Sequence, residues 1–527
     1  MAGQDVVPEG FRVRPDDGTR LSGVVLAGGS PTRVLRLTGN GARQVRGWLA
    51  GQPVGDSTAS RKLARKLLDA GIVHPDLGVG WPGAPGPRDV TVVIPVKDRP
   101  DELARCLDGL ITATSDEGAD RGGAADRSDG WVREVIVVDD CSDDPGAIAA
   151  AAARAGARVI RRLVNGGPGA ARNTGLAVAG TTLVAFLDSD CVPSAGWLDA
   201  VLPHFADPAV GAVAPRIVPA RPGLSWLARY EGASSTLDMG ARPGIVRPGA
   251  RVSYVPGAAL VVRRVAAGAG FTPNMRVGED VDFVWRLAGA GWRVRYEPEA
   301  RMGHQHRVRL LAWFSRRADY GTSAAILEHL HPGSVRPLRA SWWTGAAWGA
   351  ALVIRPRVAG VVVATGTTAV ATVLLARRLA RVTGENWPLP GRRAAGPVGQ
   401  PGADGASWTA WRLAIRLAGG GTVASGRPLG SAISRAWWPV AIPLAIVVPR
   451  LRLPVAALIL APPLLDWADR RPPLDPVRYV AARLLDDAAY STGVWKGCLR
   501  RRSFRALLPA VGVGGPVSSK AGRPGDA

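Results

Sequence analysis

Between residues 90 and 190 the chain alternates short apolar runs with stretches of helical periodicity. The apolar runs are Val90–Ile94, Glu134–Val138, Arg158–Ile160 and Thr182–Leu187. Helices are predicted between them over Asp101–Leu110, Pro145–Ala155 and Gly166–Ala179. Continuous hydrophobic runs are typical of buried parallel strands, and this alternation favours right-handed βαβ units. The pattern therefore predicts an α/β domain with a parallel sheet, whose first strand stops at Pro95.

This domain is expected to span residues 89–310. Its second half is predicted to contain strands Val210–Val213, Ala258–Val262 and Trp292–Tyr296 and helix Glu279–Ala290. Within its first half, Ser115–Gly130 is polar, charged and rich in glycine. Such a segment cannot bury enough apolar surface to fold, so we expect it to be a disordered insertion.

Residues 1–80 show a different pattern and are predicted to form a small separate module. Two short apolar stretches, Gly23–Ala27 and Val34–Thr38, precede an amphipathic helix over Thr58–Ala70 that Gly71 would end. The pattern resembles winged-helix-type, peptide-binding modules of the PqqD type, and a small packing domain fits it equally well. The segment 81–88, WPGAPGPR, reads as a linker.

Beyond residue 310 the chain becomes apolar and helical. Val358–Ala376 is an uncharged run bracketed by arginines, and two shorter runs, Ala436–Pro449 and Leu453–Leu465, follow it. The first run has the length that a bilayer core requires, and the shorter runs fit interfacial or re-entrant helices. We predict a membrane-associated helical region over 311–509 and a disordered tail over 510–527, with a buried helical domain as the alternative to membrane association.

The charge of the chain narrows the choice of partner. The formal net charge is +23 at pH 7, mostly from arginine, which suits phosphate or anionic lipid. We find no zinc-finger spacing, RNP motif or basic arm with interleaved aromatic residues, so nucleic acid is not expected as a partner. The four cysteines form no CxxC pair, and residues 1–30 lack the pattern of a signal peptide, which favours a reduced, cytoplasmic environment for the catalytic domain.

The stretch Thr182–Asp190 carries the most informative chemistry. An apolar strand ends there in Asp188 and Asp190, which alternation along the chain would place on one side. Ligands in α/β sheets bind beyond the carboxyl ends of strands, and paired carboxylates suit a divalent cation. A simple Asp-Ser-Asp turn is the alternative for this stretch taken alone.

Four further clusters follow the predicted strands and helices. They are Asp139-Asp140, the Gly-rich turn Asn165–Gly175 with Arg172, Gly278-Glu279-Asp280, and Gly303-His304-Gln305-His306. A carboxylate can bind a base or ribose hydroxyls, an arginine after glycines can reach a phosphate, and an acidic residue opening a helix can serve as a general base. For three of these clusters the alternative is a purely structural role. Asp143 or Asp144 would cap the helix after Asp139-Asp140, the acidic residues at 279 and 280 would pair with the helix dipole, and the histidine segment would be a surface turn.

The order of these motifs resembles the family 2 glycosyltransferases, which have the GT-A nucleotide-diphospho-sugar transferase fold with a Rossmann-like core. The resemblance implies a UDP-sugar donor. It places Pro95 and Asp140 in the nucleotide pocket, with Asp140 on the uracil-like base, Arg172 and Glu279 near the nucleotide sugar, and Asp188 on the ribose.

The same resemblance implies the reacting groups. Asp190 would hold Mg²⁺ or Mn²⁺ on the diphosphate, and His304 would join that metal site. Asp280 would be the catalytic base of an inverting displacement. Roles for these residues are therefore expectations from the family.

The arrangement of three regions further resembles the mycofactocin system glycosyltransferases, which add glucose to a redox cofactor made from a peptide. The expected acceptor is the mycofactocin precursor or another hydroxyl compound, at a membrane with the catalytic domain in the cytoplasm. A glycosyltransferase acting on a polyprenyl phosphate or glycolipid is the alternative, and a nonenzymatic nucleotide-binding scaffold is a further one.

Overall fold

The computed structural model describes residues 5–78, 81, 83–115, 132–220, 223–305, 309–383 and 410–512. It divides between Trp313 and Phe314 into two compact units, close to the predicted boundary at residue 310. Three segments singled out by the sequence lie outside the described residues. They are the predicted insertion beyond Ser115, His306, and Pro388–Ser407, a stretch whose prolines and glycines predict a loop.

The first unit begins with a small module that has its own apolar core. Its elements in chain order are β1 (Val13–Pro15), β2 (Arg20–Ser22), β3 (Val25–Gly28), β4 (Arg33–Arg36), α1 (Gly39–Leu49), α2 (Thr58–Asp69) and β5 (Val73–Pro75). Strands β2, β3 and β4 form an antiparallel sheet, and β1 pairs with β5. The predicted helix over Thr58–Ala70 is confirmed, whereas α1 was missed. Trp81 packs edge-on against Phe11 with ring centres 4.3 Å apart, so the predicted linker begins as part of the module.

Ion pairs join this module to the α/β domain, and the pair between Arg65 and Asp207 is fully buried. Arg65 on α2 donates two hydrogen bonds of 2.7 Å to the two carboxylate oxygens of Asp207, and both side chains are buried. Arg293 makes a similar pair with Asp69, at 3.0 and 3.2 Å. The two arginine forks fix the module on the α/β domain.

We expect Asp207→Asn to lower the free energy of unfolding by about 3–5 kcal/mol, because the substitution leaves the buried Arg65 without its counter-charge. Chemical denaturation of the full chain, followed by tryptophan fluorescence, measures this. The matched control is Arg65→Met with Asp207→Leu, which removes both charges and should cost much less. If Asp207→Asn unfolded with the same free energy as the wild type, the Arg65–Asp207 pair would not hold the module in place.

Among the described residues, the α/β domain contains nine further strands. Its strands are β6 (Val90–Val96), β7 (Glu134–Asp139), β8 (Arg158–Arg161), β9 (Leu183–Leu187), β10 (Cys191–Pro193), β11 (Val210–Pro219), β12 (Gly244–Ile245), β13 (Ala259–Arg263) and β14 (Arg293–His304). Its helices are α3 (Pro100–Ser115), α4 (Pro145–Arg154), α5 (Pro168–Val178), α6 (Trp197–Val201), α7 (Trp226–Ser234), α8 (Arg264–Ala267) and α9 (Glu279–Gly289). The predicted strand–helix alternation between residues 90 and 190 is confirmed.

These nine strands form one mixed sheet. The strand order is β10-β14-β11-β13-β9-β6-β7-β8, with β12 paired to β14. Strands β8, β7, β6 and β9 run parallel, as predicted, and β13 then pairs antiparallel with both β9 and β11. The parallel half directs the ends of β6, β7 and β9 to the same edge, which positions the polar clusters that follow them.

Strand β6 does not stop at Pro95, which corrects the prediction. Pro95 lies opposite Val138 of β7, and the strand continues to Val96. On its other side β6 pairs with β9 only as far as Val93. Residue 95 therefore has one side free of ladder pairing, where a proline without an N–H group is tolerated.

The second unit is mainly helical. Helix α10 (Leu310–Leu330) leads into it, and β15 (Arg339–Ser341), α11 (Trp342–Val353) and α12 (Arg357–Thr383) follow. Later helices include Gly426–Ala432, Trp438–Val447, Arg452–Arg470 and Pro476–Arg500. Ala510–Gly512 forms a strand parallel to β15, so the tail predicted as disordered from residue 510 is ordered at its start, and residues 513–527 lie outside the described part.

Candidate active site

The sheet edge at the ends of β7 and β9 gathers the predicted acidic residues. Asp140 directly follows β7, and Asp188 directly follows β9. Helix α9 begins at Glu279, so Asp280 lies in its first turn. Hydrogen bonds connect several of these side chains to each other through arginines, so the edge is an organised polar site.

Arg172 on α5 connects the end of β9 to the start of α9. Its Nη1 donates to Glu279 Oε1 at 2.9 Å, and its Nη2 donates to Asp188 Oδ1 at 2.6 Å and to Gly257 O at 3.2 Å. The side chain is only 2% exposed, and the guanidinium carbon lies 5.2 Å from the ring centre of Phe271. The sequence predicts that Arg172 reaches a phosphate, whereas in the structure its two Nη atoms donate to the carboxylates of Glu279 and Asp188.

Burial and neighbouring charges set the protonation of this cluster. Burial raises the pKa of Asp188, against the opposing charge of Arg172. Burial and the charge of Asp280 raise the pKa of Glu279 to about 7. Burial alone would lower the pKa of Arg172, but the charges of Asp188 and Glu279 raise it, so the guanidinium stays charged. Near neutral pH Glu279 is thus close to its own titration point, directly beside Asp280.

Asp280 is held by backbone groups. Its Oδ2 accepts a hydrogen bond from Gly257 N at 2.7 Å, and its Oδ1 accepts one from Val281 N at 2.8 Å. A Cβ atom at residue 257 would lie 2.9 Å from Asp280 Cβ and 3.2 Å from Arg172 Nη2, so this approach requires glycine. The carboxylate is half-buried, fixed in place and still accessible, which is the geometry that a general base needs.

Asp190 and His304 are brought together by a strand that the sequence analysis missed. Strand β10 runs antiparallel to β14 and places Cys191 opposite His304. As a result His304 Nε2 lies 3.5 Å from Asp190 Oδ1. Arg99 Nη1 donates to the other carboxylate oxygen, Asp190 Oδ2, at 2.8 Å.

The donor atoms of Asp190 and His304 fit a divalent cation. Carboxylate oxygen suits Mg²⁺ and Mn²⁺, and imidazole is a common ligand of transition metals. Among the described residues no three His, Cys, Asp or Glu side chains converge. The pair can therefore supply part of a coordination shell, as in sites where substrate phosphates and water complete it.

Asp140 stabilises the Gly-rich turn before α5. Its Oδ1 accepts hydrogen bonds from Arg162 Nε at 2.8 Å and from Gly166 N at 3.0 Å, and its Oδ2 accepts one from Gly167 N at 2.7 Å. Gly167 has a φ of +83°, a backbone conformation that favours glycine. The side chain predicted to read the base is thus also the side chain that fixes this turn. Pro95 is buried in β6, one residue before the strand ends.

Three residues of the site escaped the sequence analysis. Arg99, Arg162 and Gly257 each contact a predicted acidic residue, yet none stands in a recognisable motif. Arginines are abundant throughout the chain, so their pairing with Asp190 or Asp140 depends on three-dimensional position. By contrast, the N-cap expected at Asp143 or Asp144 is confirmed at Asp144, whose Oδ1 accepts a hydrogen bond from Ala147 N at 3.0 Å.

Comparisons with known proteins identify the family. The model for "Glycosyl transferase family 2" matches residues 91–266, and that for "Glycosyl transferase family group 2" matches residues 183–380. The chain is 39% identical over 518 residues to "Pre-mycofactocin glycosyltransferase" of Mycobacterium tuberculosis, covering 96% of this chain and 98% of that protein.

More distant relatives share only part of the chain. The succinoglycan biosynthesis protein ExoU of Rhizobium meliloti is 27% identical over 233 residues, covering 40% of this chain and 60% of that protein. A solved mannosyltransferase from Pyrobaculum calidifontis, in complex with GDP-Man and Mn²⁺, aligns with a TM-score of 0.34 and 21% identity, covering 66% of this chain and 91% of its own. At that TM-score the assignment rests on the sequence relatives. The motif order at the sheet edge, the matching family model and the near full-length relative together show that this chain is a glycosyltransferase of family 2.

Proposed function

We propose that this protein moves a hexose, glucose in the first instance, from a UDP-sugar to a hydroxyl of pre-mycofactocin, with inversion at the anomeric carbon. The relative named "Pre-mycofactocin glycosyltransferase" is 39% identical to this chain over nearly its whole length, and this observation carries the choice of acceptor. The Arg172 cluster supports transfer itself, because it connects Asp188 on the donor side to Glu279 beside Asp280.

The chain's own residues divide the work of an inverting displacement. Asp280, fixed by Gly257 N and half-buried, removes the proton of the attacking hydroxyl. Asp188 and the Gly-rich turn before α5, which Asp140 fixes through hydrogen bonds, bind the nucleoside. A divalent cation held by Asp190 and His304 would offset the charge that develops on the leaving diphosphate. Holding both substrates in line provides much of the remaining rate enhancement.

We expect Asp190→Ala to weaken Mn²⁺-dependent binding of UDP, on the order of 100-fold. The substitution removes the carboxylate from the two proposed metal ligands, Asp190 and His304. Calorimetric titration of UDP with and without Mn²⁺ measures this independently of turnover. Asp199→Ala, which removes an exposed carboxylate on α6, is the matched control. Undiminished metal-dependent binding by Asp190→Ala would place the ion elsewhere.

A transfer assay tests the acceptor. Membrane fractions containing the full chain are incubated with radiolabelled UDP-glucose, with and without pre-mycofactocin. We expect label to appear in the peptide-derived product only when the precursor is added. Label in a lipid extract instead would support a polyprenyl-phosphate or glycolipid acceptor. The absence of both transfer and donor hydrolysis would overturn the enzymatic function.

Membrane association is part of the proposal, with the catalytic domain in the cytoplasm. Two helices, Arg357–Arg381 and Pro449–Arg470, are long and apolar enough to cross a bilayer by length and composition. Their surfaces are largely exposed, unlike those of core helices. The exposed apolar side chains include Val358, Val361, Val362, Val370, Leu374, Leu453, Leu460, Leu464 and Leu465.

Helix contacts in the second unit support the same proposal. A Cβ atom at residue 430 would lie 2.2 Å from Leu458 O, and one at residue 360 would lie 2.8 Å from Ala350 O. Helices that meet backbone to backbone through Gly430 and Gly360 use the small-residue packing common inside membranes. These contacts give the region a stable bundle while its apolar sides face outward.

A further inference from the structure

The two candidate membrane helices begin at one place in the second unit. Helix α12 starts at Arg357, immediately after the turn that ends α11, and the helix Arg452–Arg470 starts after the turn that follows Trp438–Val447. The turns touch, because Arg355 Nη2 donates a hydrogen bond to Arg450 O at 3.0 Å. Together they present four arginines, which we term the arginine tip: Arg355, Arg357, Arg450 and Arg452.

The charges of the arginine tip are exposed and uncompensated. All four side chains are exposed, and within the part of the chain that the structure describes none has a carboxylate partner. Among the described residues, Arg355 and Arg452 donate hydrogen bonds to backbone carbonyls, as from Arg452 to Ile446 O at 3.1 Å. Four positive charges within two short turns repel one another unless an anion lies among them.

The helix dipoles sharpen this conclusion. The positive ends of α12 and of the helix Arg452–Arg470 both lie at the arginine tip, and neither helix has an acidic residue in its first turn. Basic residues are unfavourable at a helix N-terminus, where anions are favoured. Both the arginine side chains and the backbone N–H groups would therefore stabilise an anion bound at the arginine tip.

The spacing of charges along the helices indicates where the anion resides. Arg357 and Arg377 are separated by about 30 Å of helix without a charged residue, at 1.5 Å per residue, and the uncharged part of the second helix, between Arg452 and Asp466, spans about 21 Å. The hydrocarbon core of a bilayer is about 30 Å thick. With apolar side chains exposed between Arg357 and Arg377, a bilayer crossed by α12 would have the lipid phosphates of one surface at the level of the arginine tip.

We propose that the arginine tip binds the phosphate groups of anionic phospholipids at one bilayer surface. The inference rests on the membrane association proposed above and assigns its lipid preference to four named residues. Bidentate guanidinium–phosphate pairing suits arginine better than lysine.

Liposome flotation of the detergent-purified full chain tests the proposal. The lipid is phosphatidylcholine alone or an equal mixture with phosphatidylglycerol. We expect the wild type to bind the mixture at least about tenfold more tightly, because each basic residue near an anionic surface contributes measurably. Replacing the four tip arginines with glutamine should abolish that preference while leaving transfer in detergent unchanged.

Two further variants make the result specific. The matched control replaces four exposed arginines outside the second unit, Arg36, Arg43, Arg46 and Arg154, with glutamine and should retain the preference. Lysines at the four tip positions should restore part of it. Equal binding of both lipids by the wild type, or an unchanged preference in the tip variant, would overturn the proposal. No binding to either lipid would overturn it together with membrane association, whereas loss of transfer alone would bear on the enzymatic function.

Discussion

Asp280→Asn is expected to reduce glycosyl transfer by about 10²–10⁴-fold, the usual contribution of a positioned general base. Asparagine is isosteric, and its carbonyl oxygen can still accept the hydrogen bond from Gly257 N that now measures 2.7 Å, whereas the bond from Val281 N to the other oxygen is lost. The substitution therefore removes the base and keeps the contact between α9 and Gly257. Because the proposed nucleoside and metal contacts lie at other residues, the affinity for UDP should stay at the wild-type value.

Rates from single-turnover transfer and UDP affinities from calorimetry check this prediction. Glu279→Gln is the companion variant, since Glu279 neighbours Asp280 and has a pKa raised to about 7 by burial and by the Asp280 charge. If Asp280 is the base, Asp280→Asn is much the more damaging of the two. Near-normal transfer by Asp280→Asn would remove Asp280 from the role, and a larger loss in Glu279→Gln would transfer the role to Glu279.

Strands β6, β7 and β9 could be predicted because they are buried on both faces. They read as mainly apolar runs, as Val90–Ile94 and Thr182–Leu187 do, and polar turn residues follow them. The short strand Cys191–Pro193 has no such pattern, since it is formed by its pairing with β14. That pairing brings Asp190 to His304, so the proximity of these two residues could be expected only from the family resemblance.

The acidic residues of the site could likewise be found from sequence, but their partners could not. Carboxylates after strands stand out in an arginine-rich chain, whereas the arginine that each one contacts does not. Asp140 was expected to face a base, and the structure shows that it also fixes Gly166 and Gly167. Which donors a buried carboxylate accepts from depends on contacts between segments distant in the chain.

Arg172→Leu is expected to destabilise the fold by about 3–5 kcal/mol and to abolish transfer, because it leaves Asp188 and Glu279 without their shared counter-charge. Arg172→Lys should recover only part of both losses, since one ammonium group lacks the planar fork that bonds the two carboxylates at once. Chemical denaturation and the transfer assay measure the two effects. Adding Glu279→Gln to Arg172→Leu should restore part of the stability by removing one of the unpaired charges.

The pH dependence of stability separates this positioning role from simple packing. The pKa of Glu279 lies above its ordinary value of 4.5, at about 7, so the folded protein holds an extra proton between those values. Stability from this group is fully present below pH 4.5 and is lost as the pH rises towards 7. The charge of Arg172 opposes the rise in pKa, so in Arg172→Leu the loss should become larger and extend to higher pH. If the free energies of unfolding of the wild type and Arg172→Leu changed in parallel with pH across this range, Arg172 would act only through packing. Curves that diverge as the pH rises show that its charge holds the ionised carboxylates together.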